Sequence, residues 1–236
     1  MAKADPKNAQ VQNDLSVSYE RLGDVAGQLG RLKESLEYCQ KALEVRLRLA
    51  EADPKNAEVQ RNLSISYNKF GAVSLQSNQT KESLEYYQKA LPIRNRLAEA
   101  DPKNTQAQRD LGFSFEKLGD ANLRLDNTKE SLEFYQRAEA IFERLAAADP
   151  KNVNAQRDVS ACCYNLACGF ARLSVGADKA AQAKAAQQAM DFLRQAVAEG
   201  FKDLARLKVD KDVDSLRGRE DFKKLVAELE QARDSK

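Results

Sequence analysis

The sequence predicts an all-α fold, a right-handed α-solenoid of four helix-turn-helix repeats closed by a C-terminal helical cap. The first observation behind this prediction is a pentapeptide, Ala-Asp-Pro-Lys-Asn, that recurs at intervals of 48 residues and begins at Ala4, Ala52, Ala100 and Ala148. A fixed period of this length is typical of stacked supersecondary units. The second is the spacing of apolar residues by three or four between these pentapeptides, which indicates one face of an α-helix. We therefore expect a single elongated domain, 1–236, with repeats at 4–51, 52–99, 100–147 and 148–200 and the cap at 201–236.

The Asp-Pro pair of each pentapeptide is expected to separate successive helix pairs. An Asp carboxylate can cap the first turn of a helix, and Pro suits the first helical position because its missing N–H has no partner there. The residue before a proline is pushed out of the α region, so the preceding helices are predicted to end at Ala52, Ala100 and Ala148. The next helix is then expected to begin without a loop.

Each repeat is predicted to form two antiparallel helices joined by a tight turn. In the first repeat, one apolar stripe runs through residues 11–29 and a second through 32–50. Gly30 lies between them, where a left-handed backbone ends the first helix. The second repeat is identical to the first at 30 of 48 positions, and Asn78 replaces that glycine. Asn also tolerates left-handed geometry, so the same turn is expected.

Two local features give sharper expectations. Pro92 falls inside the second helix of repeat two, where it removes a backbone hydrogen bond, so we expect a bend near residues 89–92. In repeat three, Asp126 stands at the turn, and the sequence Asn-Thr-Lys-Glu at 127–130 is typical of a capping box.

Repeat four departs from the pattern after its first helix, which is predicted from Pro150 to about Leu173. An alanine-rich second helix is expected to end at Gly200. The segment from Phe201 to Lys236 has a different composition, with short helical turns expected on either side of Asp210 and a last amphipathic helix after Gly218. Because a terminal unit must cover the exposed edge of a stack, we interpret this segment as the cap.

Composition excludes several classes of function. Charged residues make up 31% of the chain, but the net charge is only +2, which does not favour binding to nucleic acid or to an acidic membrane surface. The longest apolar runs are a few residues, too short to span a bilayer. The four cysteines show no spaced disulfide framework, so a cytoplasmic location is expected, with an extracellular one left open if a leader was removed.

The residues that most often carry chemistry are few. The chain has no histidine, which removes the usual general base and the commonest metal ligand. Cys162, Cys163 and Cys168 share one helix, but they lack paired CxxC knuckles and a fourth nearby ligand, so packing is favoured over a zinc or redox site. The aromatic residues Tyr38, Tyr86 and Phe134 recur in successive repeats and could stack on a ligand, but their helical spacing favours a place in the core. We predict no catalytic residue, no metal, no cofactor and no small-molecule substrate.

The chain resembles the tetratricopeptide repeat family at residues that recur with the family's spacing. In the first repeat these residues are Tyr19, Leu22, Gly23, Gly30, Leu32, Ser35, Cys39 and Ala42. Corresponding sets run from Tyr67 to Ala90 and from Phe115 to Ala138. The resemblance covers about residues 4–200, and each repeat is 14 residues longer than the family's 34. It implies a helical scaffold that binds protein partners.

In tetratricopeptide arrays the first helix of each repeat lines a concave groove, and its exposed positions hold partner peptides. Carried over to this sequence, those positions are Glu20, Asp24, Gln28, Asn68, Ala72, Gln76, Glu116, Asp120, Arg124, Tyr164, Cys168 and Arg172. The Lys and Asn set with which some relatives bind a peptide's C-terminal carboxylate is absent from these places. Acids early and arginines late favour an extended peptide of mixed charge.

The resulting functional prediction is a non-enzymatic protein-interaction scaffold, of the kind found in bacterial multidomain proteins. The alternative is structural, because similar repeats stacked by a constant rotation can join head to tail into a filament or oligomer. The partner is then a protein or peptide, or further copies of the same chain.

Overall fold

The computed structural model describes residues 8–176 and 178–234, and within these ranges every regular element is a helix. The chain forms two compact units, residues 1–125 and 126–236. The first unit contains α1 (Ala9–Gln28), α2 (Leu32–Ala52), α3 (Ala57–Gln76), α4 (Thr80–Ala100) and α5 (Thr105–Arg124). The second contains α6 (Thr128–Ala148), α7 (Val153–Leu173), α8 (Lys179–Ala198), α9 (Leu204–Val209), a 3₁₀ helix (Lys211–Leu216) and α10 (Glu220–Asp234). The all-α prediction is confirmed, while the division into four repeats and a cap within one domain stays a prediction.

In the first unit each helix packs against the next one along the chain, from α1 through α5. Between α2 and α3 the core is built from Leu43, Ala50 and Leu63, with partly buried apolar neighbours such as Ile93 beside them. Small residues are placed where helices approach closely, and Ala90 of α4 has no exposed surface. The apolar stripe of each of these helices therefore packs against a neighbouring helix.

The turn inside each helix pair has the predicted left-handed residue. Gly30 has φ of 72° and Asn78 has φ of 59°. After α1, the Gly30 N–H donates to the Gly27 carbonyl at 3.0 Å and the Arg31 N–H donates to the Ala26 carbonyl at 2.9 Å. These two bonds form a Schellman motif, which satisfies carbonyls at the end of the helix.

At the pentapeptide between repeats, the residue that caps the next helix differs from the prediction. Helix α2 ends at Ala52 as predicted, but Asp53 closes that helix instead of opening the next. Helix α3 begins only at Ala57, and its N-cap is Asn56, whose side-chain oxygen accepts from the backbone N–H groups of Glu58 and Val59. The same arrangement recurs at the starts of α5 and α7, with Asn104 and Asn152.

A four-residue turn thus separates the repeats, and the predicted direct start of the next helix is wrong. The aspartate supports this turn, since the Asp101 carboxylate accepts from the Lys103 N–H at 3.2 Å. The first copy of the pentapeptide lies outside the described residues except for Asn8, which caps α1 in the same way.

Two other local expectations have different outcomes. Helix α4 runs through Pro92 without interruption, and the bend expected there stays a prediction. The predicted capping box at residues 127–130 does not form, because Asn127 stands at the N-cap of α6 but its side chain makes no capping bond. Asp126 has φ of 62°, the left-handed turn residue predicted for repeat three.

In the second unit, the C-terminal segment packs across α7. Val213 and Leu216 of the 3₁₀ helix have no exposed surface, and the Ser215 hydroxyl donates to the Ala171 carbonyl of α7 at 2.8 Å. The Phe201 ring stacks on Tyr164 with ring centres 4.6 Å apart. Breaks on either side of Asp210 and a final amphipathic helix, α10, follow the sequence prediction.

Candidate partner-binding cleft

Four of the predicted groove positions meet around one open cleft in the first unit. The cleft has a volume of about 370 Å³ and lies between α1 and α3. Asp24 and Gln28 line it from α1, and Ala72 and Gln76 line it from α3. We call this space the α1–α3 cleft. Its other lining residues are Gly23, Gly27, Ser35, Lys69 and Val73.

The floor of the cleft is formed by residues without bulky side chains. Gly23 and Gly27 lie one turn apart on α1, and because they have no side chains the α1 backbone itself lines the cleft. Beneath them, the buried Ser35 hydroxyl of α2 donates to the Gly23 carbonyl at 2.8 Å. That bond fixes the spacing of α1 and α2, so the floor is held by the packing of the helix pair.

The rim of the cleft is polar and almost neutral. Lys69 Nζ lies 2.6 Å from an Asp24 carboxylate oxygen, with the two side chains 30% and 52% exposed. An ion pair this exposed contributes at most about 1 kcal/mol to stability. Gln28 and Gln76 are exposed and offer amide donors and acceptors, the groups that can bind the backbone of an extended peptide.

Two other predicted groove residues contact buried arginines. A Glu20 carboxylate oxygen accepts from the Ser66 hydroxyl at 2.8 Å and lies 3.8 Å from the guanidinium of Arg46. The Asn68 amide oxygen accepts from both terminal nitrogens of Arg94 at 2.8 Å. These side chains join helices within the unit, which limits their availability to a partner.

The buried arginines were not found from the sequence. Arg46 is 4% exposed and Arg94 is 6% exposed, and they occupy the same position in consecutive repeats. Arg94 donates to the Asp110 carbonyl at 2.6 Å and to Ser64 at 3.2 Å. Burial lowers the pKa of Arg94 to about 10, so it still carries its charge at neutral pH. The only sequence signal is the recurrence of arginine at a 48-residue interval.

On α5, three predicted groove residues have partners within the unit. Lys117 Nζ lies 3.3 Å from Glu116 and 2.8 Å from Asp120. Arg124 donates to the Leu75 carbonyl of α3 at 3.3 Å. Glu116 is also buried, whereas Arg124 is exposed and remains accessible.

In the second unit, the groove positions on α7 are largely covered by the C-terminal segment. Tyr164 has no exposed surface, and its hydroxyl donates to Asp210 at 2.9 Å. Cys168 is 3% exposed. Arg172 forms ion pairs with Asp126 and Asp212, which hold its side chain within the unit.

Among residues 8–176 and 178–234, one group of three side chains has ligand atoms close enough to bind a metal ion. It consists of Cys168, Asp210 and Asp212, whose ligand atoms lie within 4.8 Å of one another. Both carboxylates already face arginines, since Arg206 lies 3.5 Å from Asp210 and Arg172 lies 3.4 Å from Asp212. Burial raises the pKa of the Cys168 thiol well above its usual value, so the thiolate that a metal needs is disfavoured.

The other cysteines also favour packing over chemistry. All four cysteines are buried thiols. Burial raises the pKa of Cys39 to about 11, and burial with the nearby carboxylates of Glu139, Glu143 and Glu199 raises the pKa of Cys163 to about 12. Thiols with such pKa values are protonated at neutral pH and are poor nucleophiles.

No helix in the described part of the chain is both long enough and apolar enough to cross a membrane.

Comparison with known proteins finds one family match over part of the chain and a similar fold. The model of the tetratricopeptide repeat family matches residues 14–96, a span with most of α1, all of α2 and α3, and most of α4. The crystal structure of BtubC (BKLC) from P. vanneervenii is similar with a TM-score of 0.59 at 13% identity, covering 100% of this chain and 90% of that chain. A crystal structure of MamA has a TM-score of 0.40 at 14% identity, covering 84% of this chain and 81% of that chain. No curated protein matches the sequence.

Proposed function

We propose that the chain is a non-enzymatic protein-interaction scaffold whose first unit binds a partner segment at the α1–α3 cleft. The match of the tetratricopeptide repeat model to residues 14–96 supports this proposal. The observation that carries this proposal is the cleft itself. Two consecutive first helices present Asp24, Gln28, Ala72 and Gln76 around one open space with a bare glycine floor.

The chemistry of the cleft suits an extended peptide. The rim offers an acid, a base and two amides, which can form hydrogen bonds with a peptide backbone and with side chains of either charge. Its floor offers apolar surface without side chains that must be displaced. Clefts of a few hundred Å³ with apolar floors and a few polar groups are the usual form of a binding site.

A matched pair of variants tests this proposal. Gly27→Leu places a side chain in the cleft, whereas Gln88→Leu adds the same side chain to an exposed position of α4, outside the cleft. The wild-type chain and both variants are immobilised and exposed to lysate of the organism that encodes the protein. Proteins retained by the wild type and by Gln88→Leu, but depleted at least tenfold on Gly27→Leu, are then purified, and their dissociation constants are measured by calorimetry.

The proposal predicts at least one such protein, with direct binding in the micromolar range. It is contradicted if every retained protein binds the three baits equally, or if none binds the purified wild-type chain. Far-UV circular dichroism and thermal unfolding of Gly27→Leu check that its fold is intact.

Head-to-tail self-assembly is a second candidate, favoured by an apolar face on α1. Leu22, Val25 and Leu29 are 46%, 53% and 62% exposed, and their spacing places them along one side of the helix. At the position of Leu22, the second repeat has Phe70, which is only 6% exposed. A second copy of the chain would bury this face.

Light scattering after size-exclusion chromatography distinguishes the two candidates. Self-assembly predicts a mass that rises with concentration and returns to that of a monomer in Leu22→Lys/Leu29→Lys. A constant monomer mass from micromolar to millimolar concentration contradicts self-assembly.

A further inference from the structure

The second repeat shows what fills the space that is open in the first. The floor positions Gly23 and Ser35 of repeat one correspond to Gly71 and Ser83 of repeat two, 48 residues later. Two of the positions that differ have a much larger side chain in repeat two. Gly27 is replaced by Leu75, and Cys39 is replaced by Tyr87, so repeat two has two large side chains where repeat one has none.

The Tyr87 ring occupies the space beside the bare backbone of Gly71. A Cβ placed on Gly71 would lie 2.6, 2.8 and 3.2 Å from three carbons of that ring. The ring is 1% exposed, and Leu75 beside it is 8% exposed. An aromatic ring in direct contact with a glycine of the first helix is therefore part of the packing of repeat two.

The far end of Tyr87 extends towards the next first helix. Its hydroxyl lies close enough to Lys117, Asp120 and Arg124 of α5 to interact with their charges. The corresponding positions on α3 are Lys69, Ala72 and Gln76, and all three line the α1–α3 cleft. The cleft thus has walls at the positions that enclose Tyr87 in repeat two.

In repeat one the enclosed ring is missing. Cys39 ends beneath Gly23, where a Cβ on that glycine would lie 3.2 Å from its sulfur. A Cβ on Gly27 would lie 3.4 Å from the Ser35 hydroxyl, an ordinary van der Waals contact, so a side chain can be added there without displacing a neighbour. Lys69, Ala72 and Gln76 thus line the cleft in repeat one, but no side chain of the size of Leu75 or Tyr87 lies within it.

We propose that the α1–α3 cleft binds an aromatic side chain of tyrosine type from the partner, which takes the place that Tyr87 has in repeat two. The inference rests on the proposed function, because it names the chemistry of the segment bound there. The ring packs on Gly23 and Gly27, and the hydroxyl lies near the Asp24–Lys69 pair. The amides of Gln28 and Gln76 are then placed at the rim to bind the backbone that carries the ring.

Charge does not select the occupant, since the acid and the base at the rim already pair at 2.6 Å. The apolar area of the occupant does, because an aromatic ring buries more apolar surface than most other side chains. A single capped amino acid is expected to bind weakly, with a dissociation constant on the order of 10 mM.

The test uses N-acetyl-L-tyrosinamide as the probe, titrated into the ¹⁵N-labelled full chain and followed by amide chemical shifts. N-acetyl-L-alaninamide and N-acetyl-L-leucinamide are the matched controls. The inference predicts saturable shifts at Gly23, Gly27, Gln28 and Gln76 for the tyrosine probe, at least fivefold weaker binding of the leucine probe and no saturation with alanine. In Gly27→Leu and in Cys39→Tyr the tyrosine probe is expected to bind at least tenfold more weakly, while Gln88→Leu binds it like the wild type.

The inference is overturned if the leucine and tyrosine probes bind equally, or if the shifts caused by the tyrosine probe do not saturate. It is also overturned if both Gly27→Leu and Cys39→Tyr bind the tyrosine probe as tightly as the wild type does. The two variants fill the cleft from different helices, so the misfolding of one leaves the other as the test. Failure of the probe with retained partner binding contradicts this inference alone. If the tyrosine probe binds but no partner protein is found, the proposed function is contradicted, whereas the inference that the cleft binds an aromatic side chain is retained.

Discussion

The first and second repeats of the first unit are identical at 30 of 48 positions, yet the equivalent glycine has different surroundings in each. Gly71 is covered by the buried ring of Tyr87, whereas Gly23 borders an open cleft. The helices of the two pairs have the same lengths, 20 and 21 residues, and both pairs turn at a left-handed residue, Gly30 or Asn78. The difference teaches that an open cleft can arise where Leu75 and Tyr87 have no counterpart of similar size in a helix pair of the same length.

The largest expected effect concerns the arginine that both repeats bury. Arg94→Ala is predicted to lower the free energy of unfolding by about 3 kcal/mol, because it removes a buried charged donor and leaves the acceptors around it without a partner. Arg46→Ala is expected to cost less, since the Arg46 Nε is already buried without a hydrogen-bond partner. Urea unfolding of both variants measures the difference. A larger loss of unfolding free energy in Arg46→Ala than in Arg94→Ala would contradict the order that their hydrogen bonds predict.

The second effect concerns the two glycines themselves. Gly71→Ala is predicted to destabilise by about 1–3 kcal/mol, because its Cβ would overlap the Tyr87 ring and force it to move. In Gly23→Ala the new Cβ would lie 3.2 Å from the Cys39 sulfur, with ordinary contacts to Ser35 and Tyr38 at 3.5 Å, and the higher helix propensity of alanine, about 1 kcal/mol, offsets the close contact.

Thermal unfolding is expected to show a clear loss for Gly71→Ala and little change for Gly23→Ala. The control is Tyr87→Cys, in which Gly71→Ala should become nearly neutral because the ring is gone. Equal losses for both glycine variants would contradict the comparison of the repeats.

The smallest effect depends on pH. Glu139 stands where the first two repeats have Leu43 and Leu91, and burial, with Glu143 nearby, raises its pKa from 4.5 to about 7. A carboxyl group with a raised folded-state pKa stabilises the protein below pH 4.5, and this contribution is lost as the pH rises through 7.

Between pH 5 and 7.5 the free energy of unfolding is therefore expected to fall by about 1 kcal/mol less in Glu139→Gln than in the wild type. This figure is reduced for the solvent that reaches the partly buried side chain. Unfolding midpoints measured across that interval test the prediction. Parallel pH profiles for wild type and Glu139→Gln would refute it.

The sequence predicted the helices well because their signals are local. Apolar spacing and the left-handed residues Gly30 and Asn78 place helix ends through the geometry of the chain itself. The N-cap was assigned to Asp instead of Asn56 because both residues can cap a helix and Pro can begin one, so sequence alone does not separate a four-residue turn from a direct start.

The cleft was predicted only in part. The resemblance to tetratricopeptide repeats placed Asp24, Gln28 and Gln76 on exposed faces of first helices, and they do surround the cleft. The engagement of Glu20 and Asn68 by buried arginines depends on distances between helices, which no local pattern contains. The opening itself follows from Gly27 and Cys39, whose small size is visible in the sequence but whose consequence requires the packed neighbour.

The α1–α3 cleft corresponds to the packing of the second repeat with two side chains missing. The most direct measurement is the free energy of unfolding of the double variant Gly27→Leu/Cys39→Tyr, which gives repeat one the side chains of repeat two. If the claim is correct, the variant is more stable than the wild type by at least about 1 kcal/mol, since both side chains fill existing space and bury apolar area. A variant less stable than the wild type would show that the walls of the cleft do not match those around Tyr87, and would contradict the account.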